Sequence, residues 1–163
     1  FPRASLVFSR SLKMLYDSIP PAIVSLVIAL LLQWRQPLHW TLLFVPVSFL
    51  LTHIFGTGLM FIVTRISAFF EDTREITSFI SMIWLFSSGV MFSLERYADN
   101  PTLYAVMSNN PGYIFLTATR DAIMYGRLPE LGDFLLMIMW AFGTFAVGYV
   151  FFWQAEDRYV GIE

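Results

Sequence analysis

Four long apolar stretches of this sequence, each of seventeen residues or more, contain no Asp, Glu, Lys or Arg, and they constrain the fold more than anything else in it. They are Ser18 to Trp34, Trp40 to Thr64, Ile76 to Phe92 and Phe134 to Phe152. About twenty apolar residues in a helix cross the hydrocarbon of a bilayer. Inside that hydrocarbon every backbone polar group must be bonded within the protein, which favours helices. The expected fold is therefore all-α, a polytopic membrane helix bundle with spans at about 12–34, 40–64, 76–92 and 134–152. The 163 residues read as a single transmembrane domain.

Composition supports this reading. Hydrophobic residues make up 57% of the chain, charged residues 13%, and the mean hydropathy is +0.65. A globular domain carries about a quarter charged residues, and a small one keeps much of its surface wet. The apolar excess here must face lipid or other protein. A start on Phe1 rather than Met predicts further sequence upstream.

The first span extends backward through Tyr16 and Leu12, and Pro20 and Pro21 predict a kink or local break in it. The third is at the short limit and leaves the apolar zone at Ser93-Leu94-Glu95-Arg96-Tyr97. Trp34, Trp40, Trp84, Tyr149 and Trp153 fall near expected span ends, as interfacial aromatics do. Asn100-Pro101 and Asn110-Pro111 each read as a helix cap followed by proline at the first helical position. Two short helices are expected, at about 101–108 and 111–125, with Gly126 as the stop. In the second, Ile114, Phe115, Ala118 and Ala122 share one face, which fits a helix lying at the membrane surface or dipping into it.

Four spans would put both ends of the chain on one side. Arg3, Arg10, Lys13, Arg65, Arg74 and Arg158 would lie there, against Arg35, Arg96, Arg120 and Arg127 on the other. That bias favours both ends being cytoplasmic. The net charge of −2 argues against nucleic acid. Lys13 is the sole lysine and no G-x-x-x-x-G-K-[ST] run occurs, so the chain supplies no P-loop. His39 and His53 form no H-E-x-x-H pattern, there is no G-x-S-x-G, and no cysteine is present. No metal site and no catalytic residue is expected.

Several local patterns, taken together, resemble the permease subunit of ABC-2 type exporters, above all those that move lipid-linked polysaccharide or teichoic acid. Phe1-Pro2-Arg3, with Asp17 fourteen residues after Arg3, is similar to the start of that family's third helix. Phe70-Glu71-Asp72-Thr73-Arg74 resembles its Y-R-D-V-R loop. Ile83-Trp84-Leu85-Phe86-Ser87-Ser88-Gly89-Val90 resembles its W-L-F-x-S-P-V stretch. Asn110-Pro111 followed by Arg120 is similar to its N-P…R segment, and Phe152 to Tyr159 to its aromatic and charged end. Glu71 stands where the family has a basic residue, and Gly89 where it has proline.

The resemblance implies six helices in the full-length protein, with the four spans here as its last four and the two short helices as an extracytoplasmic gate. It implies a homodimer with separate nucleotide-binding ATPase subunits, ATP and magnesium being held on that partner. The implied setting is the bacterial cytoplasmic membrane, and the cargo a lipid-linked glycan such as a teichoic acid or O-antigen. Phe1, Pro2, Arg3, Glu71, Asp72 and Arg74 would contact the ATPase subunit; Glu71 to Glu75 also read as a plain solvated turn. Asp17, His53, Trp84 and Phe86 would line the translocation path. Against that, Asp17 is spaced to pair with Lys13, His53 to pack between helices, and the two aromatics to face lipid. Asn110, Pro111, Arg120 and Asp121 would belong to the gate, though Asn110 and Pro111 read mainly as a cap, and Arg120 and Asp121 would contact phosphate or sugar.

Three rival readings remain at the sequence level: an ABC-2 exporter of a drug or small lipid, a membrane-embedded lipid-processing enzyme using His53 or Asp121, and a structural membrane subunit.

Overall fold

A computed structural model describes residues 3–32, 39–68, 70, 72–90 and 99–159, and side chains within these except those of 3, 74 and 155–159. The protein is an all-α bundle. Its helices are α1 (Arg3–Leu32), α2 (Phe44–Ser67, entered through a 3-10 turn at Trp40–Leu43), α3 (Thr73–Ser87), α4 (Pro101–Ser108), α5 (Pro111–Met124) and α6 (Leu131–Tyr159). Three helical segments are long and apolar enough to cross a membrane: Ala4–Leu32, Trp40–Ser67 and Leu131–Gln154. The apolar part of the helix within the third expected span, Glu75–Ser87, is shorter. At 1.5 Å per residue α3 measures ~22 Å, less than the ~30 Å hydrocarbon.

The α1 helix begins nine residues before the expected span and passes Pro20 and Pro21 without the break expected there. Each proline lacks an N–H, which strips the Tyr16 and Asp17 carbonyls of their helical donors. Both residues are exposed on α1, and the helix continues because only two ladder bonds are lost. At the end of α3, Ser88 closes the helix and Gly89 follows with φ 73°. That left-handed turn is open to glycine at little cost, so the glycine turn ends the helix here.

The centre of the bundle is α2. Its partner α6 runs parallel to it: Phe44 meets Phe134 at one end, Gly58 meets Thr144 and Phe145 midway, and Arg65 meets Phe151 at the other. The Arg65 guanidinium donates to the Phe151 carbonyl and lies 4.0 Å from the centre of that ring, so cation–π attraction adds to the hydrogen bond. α1 runs antiparallel to α2. Phe8 packs edge-on against Phe61 at 5.2 Å, in an aromatic cluster that also holds Phe145, Tyr149 and Phe152.

The apolar core joins Leu51 and Phe55 of α2, Ile114, Phe115 and Ala118 of α5, and Met137 and Ala141 of α6. α5 is therefore inside the bundle along the very face expected from its sequence. Three links fix its depth. Thr41 Oγ1 donates to the Ala122 carbonyl at 2.7 Å; Ser48 and Thr119 hydroxyls meet at 2.6 Å; Phe55 and Phe115 rings lie 5.7 Å apart. From Thr41 to Phe55 the axis advances by ~21 Å. The first turn of α5 thus sits at mid-height along α2, and the helix descends from there.

Among buried side-chain polar atoms, Thr117 Oγ1 has no hydrogen-bond partner among the described residues. A desolvated, unpaired hydroxyl is a standing cost. Thr117→Val, nearly isosteric, is expected to stabilise the protein by about 1 kcal/mol, a rise of about 2–4 °C in the unfolding midpoint. Thr117→Ser keeps the hydroxyl and should give no such rise. A lower midpoint for the valine variant would mean that the hydroxyl is bonded in the membrane.

Candidate functional site

Halfway along α2, the end of one partial-length helix meets the beginning of another. α3 arrives at Ser87, and α5 departs from Pro111. Asn110 joins them. Its Oδ1 accepts from the Gly112 N–H at 2.9 Å, capping α5, while its Nδ2 donates to the Ser87 carbonyl and hydroxyl at 3.2 Å each. Pro111 occupies the first helical position, where no N–H is required. Gly112 is needed for the fit: a Cβ there would come within 2.6 Å of Trp84 Nε1 and 2.9 Å of Ser88 Cβ.

The joint stands over two adjoining clefts. One, of about 400 Å³, is lined by Thr52, Phe55, Leu59, Trp84, Phe115 and Thr119 among others. The second, of about 560 Å³, shares Phe55, Leu59 and Trp84 and adds Pro111, Met139 and Trp140. Trp84 is half-buried and packs edge-on against Phe55 at 5.7 Å. Its indole N–H has no hydrogen-bond partner among the described residues, whereas Trp N–H groups in packed surroundings usually find one. The site is thus a broad apolar and aromatic wall with a donor beside a polar helix joint. It can hold an amphiphile or the face of a sugar ring; among the described residues no Asp, Glu, His or Lys lines it.

The candidate residues separate into several places. Trp84, Asn110 and Pro111 come together at the joint. Phe86, about 200° further round α3, is exposed. His53 lies on α2 and bonds to Ser11 of α1 at 3.0 Å, outside both clefts. Asp17 is exposed on α1, and no ion pair joins it to Lys13 among the described residues. Arg120 and Asp121 are half-buried on α5, one to two turns beyond Phe115. Asp72 is exposed at the start of α3 and makes no capping bond through its side chain. Arg3 and Arg74 lie in α1 and α3 without described side chains, and Phe1, Pro2 and Glu71 lie outside the described residues.

Ser87, Gly112, Phe55, Ser11 and Thr57 were not singled out from the sequence. Hydroxyl residues in uncharged stretches carry the one usable signal, because buried hydroxyls need partners. Ser48, for instance, donates to Thr119, whose own proton goes to the Phe115 carbonyl at 2.8 Å.

Comparison with known proteins found no matching family model, no matching curated protein and no matching solved structure. The residues and geometry of the chain show three helices long and apolar enough to cross a membrane, the shorter apolar helix α3, and the short helices α4 and α5.

Proposed function

We propose that this chain is the membrane-spanning subunit of an ATP-driven exporter of lipid-linked polysaccharide in the bacterial cytoplasmic membrane. ATP and magnesium belong to a separate nucleotide-binding subunit, the permease acts as a homodimer, and both ends of this chain face the cytoplasm. The observation that carries the reading is the wall around Trp84. Aromatic faces let sugar rings slide without deep binding minima, and the unpaired indole N–H offers a weak, renewable contact to passing hydroxyls. The joint at Asn110 supports a gating role for α4 and α5, because half-helices meeting at mid-depth are a common place for transporters to move. Asp72, at the start of α3, would receive motion from the ATPase subunit, and α3 would pass it to the Ser87–Asn110 contact.

The test is ATP hydrolysis by the full-length permease reconstituted with its partner ATPase, with and without lipid-linked glycans. Stimulation by a glycan is expected, and Trp84→Ala should reduce that stimulation by about tenfold, the weight of one well-placed contact of about 1.4 kcal/mol, with basal hydrolysis unchanged. A pair that ignores every glycan and responds to small amphiphiles would assign the clefts to a drug or small lipid, which their apolar lining also suits. Turnover of a lipid without any ATPase would sink the exporter reading.

A further inference from the structure

A third cavity, of about 200 Å³, lies between α1 and α2, lined by Ser11, Met14, Ser18, Phe49, Thr52, His53, Gly56, Thr57 and Met60, of which only Thr52 also lines a cleft around Trp84. Its polar groups have a definite proton count. Thr57 Oγ1 donates to the His53 carbonyl at 2.8 Å and also meets Ser11 Oγ at 2.6 Å, so Ser11 must supply that second proton. Ser11 Oγ lies 3.0 Å from His53 Nε2. With the serine proton spent, the imidazole must donate through Nε2–H, which leaves Nδ1 a bare acceptor. One assignment satisfies all three bonds: His53 ring to Ser11, Ser11 to Thr57, Thr57 to the His53 backbone.

The remaining hydroxyls have also used their protons. Ser18 donates to the Met14 carbonyl at 2.6 Å, and Thr52 to the Ser48 carbonyl at 2.8 Å. What the cavity has left to offer is acceptors only: His53 Nδ1, which has no partner among the described residues, and hydroxyl lone pairs. A phosphate or carboxylate needs donors and is refused. An ammonium needs a counter-charge, and no carboxylate lines the cavity. A neutral O–H fits.

The geometry points to a binding site for the hydroxyl of a neutral lipid alcohol, its O–H donating to His53 Nδ1 and its chain lying along Met14, Phe49 and Met60. Access is from the side. Beyond Ser18 the apolar residues Ile23, Val27 and Leu31 of α1 are exposed, and none of the helix's most apolar window is buried. A chain leaving the cavity therefore passes directly into the lipid. The volume equals about seven waters, enough for a head of a few heavy atoms. This assignment is independent of the exporter reading.

The test uses the full chain in phosphatidylcholine nanodiscs, titrated with hexadecan-1-ol, hexadecane and hexadecyl phosphate. The readouts are thermal unfolding and the 15N resonances of labelled histidine. Hexadecan-1-ol should raise the unfolding temperature saturably and shift the His53 Nδ1 resonance, with hexadecane and hexadecyl phosphate doing neither. Gly56→Leu should weaken alcohol binding at least tenfold by filling the cavity. It should still fold, because nothing lies within 4 Å of a Cβ at Gly56. Equal binding by the phosphate, or an unaltered response in Gly56→Leu, would overturn the site. So would an Nδ1 resonance that is already hydrogen-bonded without alcohol and unmoved by it, which would assign the cavity to water.

Discussion

Alanine at Gly58 or Gly148 is expected to separate the two helices that hold the bundle together, while alanine at Gly56 leaves it intact. A Cβ on Gly58 would sit 2.5 Å from the Phe145 nitrogen and 2.6 Å from the Thr144 carbonyl group. These are backbone atoms of α6, so no side chain can rotate aside. A Cβ on Gly148 would fall 3.0 Å from the Gly58 carbonyl carbon and closer still to its oxygen. Ordinary contact begins near 3.4 Å, so the helices must part by roughly 1 Å, which forfeits close packing along the seam.

In a membrane this seam matters more than in water, because helix association rests on van der Waals fit rather than on escape from solvent. The expected loss is about 3 kcal/mol per substitution, at the upper end of overpacking penalties. Gly56, two residues from Gly58 and without neighbours at its Cβ position, should instead gain about 0.5–1 kcal/mol as alanine, through higher helix propensity. The measurement is the thermal midpoint of each variant in the same nanodiscs. Similar midpoints for Gly56→Ala and Gly58→Ala would show that α2 and α6 are not in backbone contact.

The second large effect is expected at Asn110. Asn110→Ala removes the cap on α5, about 1 kcal/mol, and both hydrogen bonds to Ser87, together about another 1 kcal/mol. Asn110→Ser separates the two roles. Serine caps about as well as asparagine, but its single short hydroxyl cannot cap and also reach Ser87, so about half the loss should return. Hydrogen exchange at the Gly112 amide reads the cap directly. It should accelerate roughly fivefold in the alanine variant, the kinetic equivalent of about 1 kcal/mol, and stay near wild type in the serine variant. An alanine variant with full stability and unchanged exchange would show that α3 and α5 are held together elsewhere.

The local elements were legible because short-range rules decide them. Asn100-Pro101 and Asn110-Pro111 each mark a helix start at which the asparagine Oδ1 does accept an early N–H, from Leu103 at 3.3 Å and from Gly112 at 2.9 Å. Gly126, the expected stop of α5, adopts φ 62°. The buried face of α5 follows from the spacing of Ile114, Phe115, Ala118 and Ala122 alone. The apolar stretch 76–92 was harder to read. Hydropathy cannot distinguish a helix that crosses from one that stops halfway, and it was the glycine turn after Ser88 that ended α3.

The candidate site was legible only in part. Trp84 stood out through the resemblance of its W-L-F stretch, and Asn110 and Pro111 as a cap, and they meet at the joint. His53 stood out as the one ionisable group in its stretch, yet its partners Ser11 and Thr57 did not, since a hydroxyl leaves no periodic trace. Trp84 and Phe86 read as one aromatic group along the chain, but a helix turns them about 200° apart.

The sequence by itself determined that this chain is helical and apolar enough for a bilayer, and where its two short helices begin. Those properties depend on composition and on neighbours within four residues. Only the tertiary structure decided that α2 and α6 run parallel in backbone contact, that α5 starts at mid-height against α3, and that His53 hydrogen-bonds to Ser11. These outcomes depend on which faces find each other across 23 to 86 residues of chain. In lipid all apolar faces are nearly equivalent, so glycine spacing and a few hydroxyls choose among them.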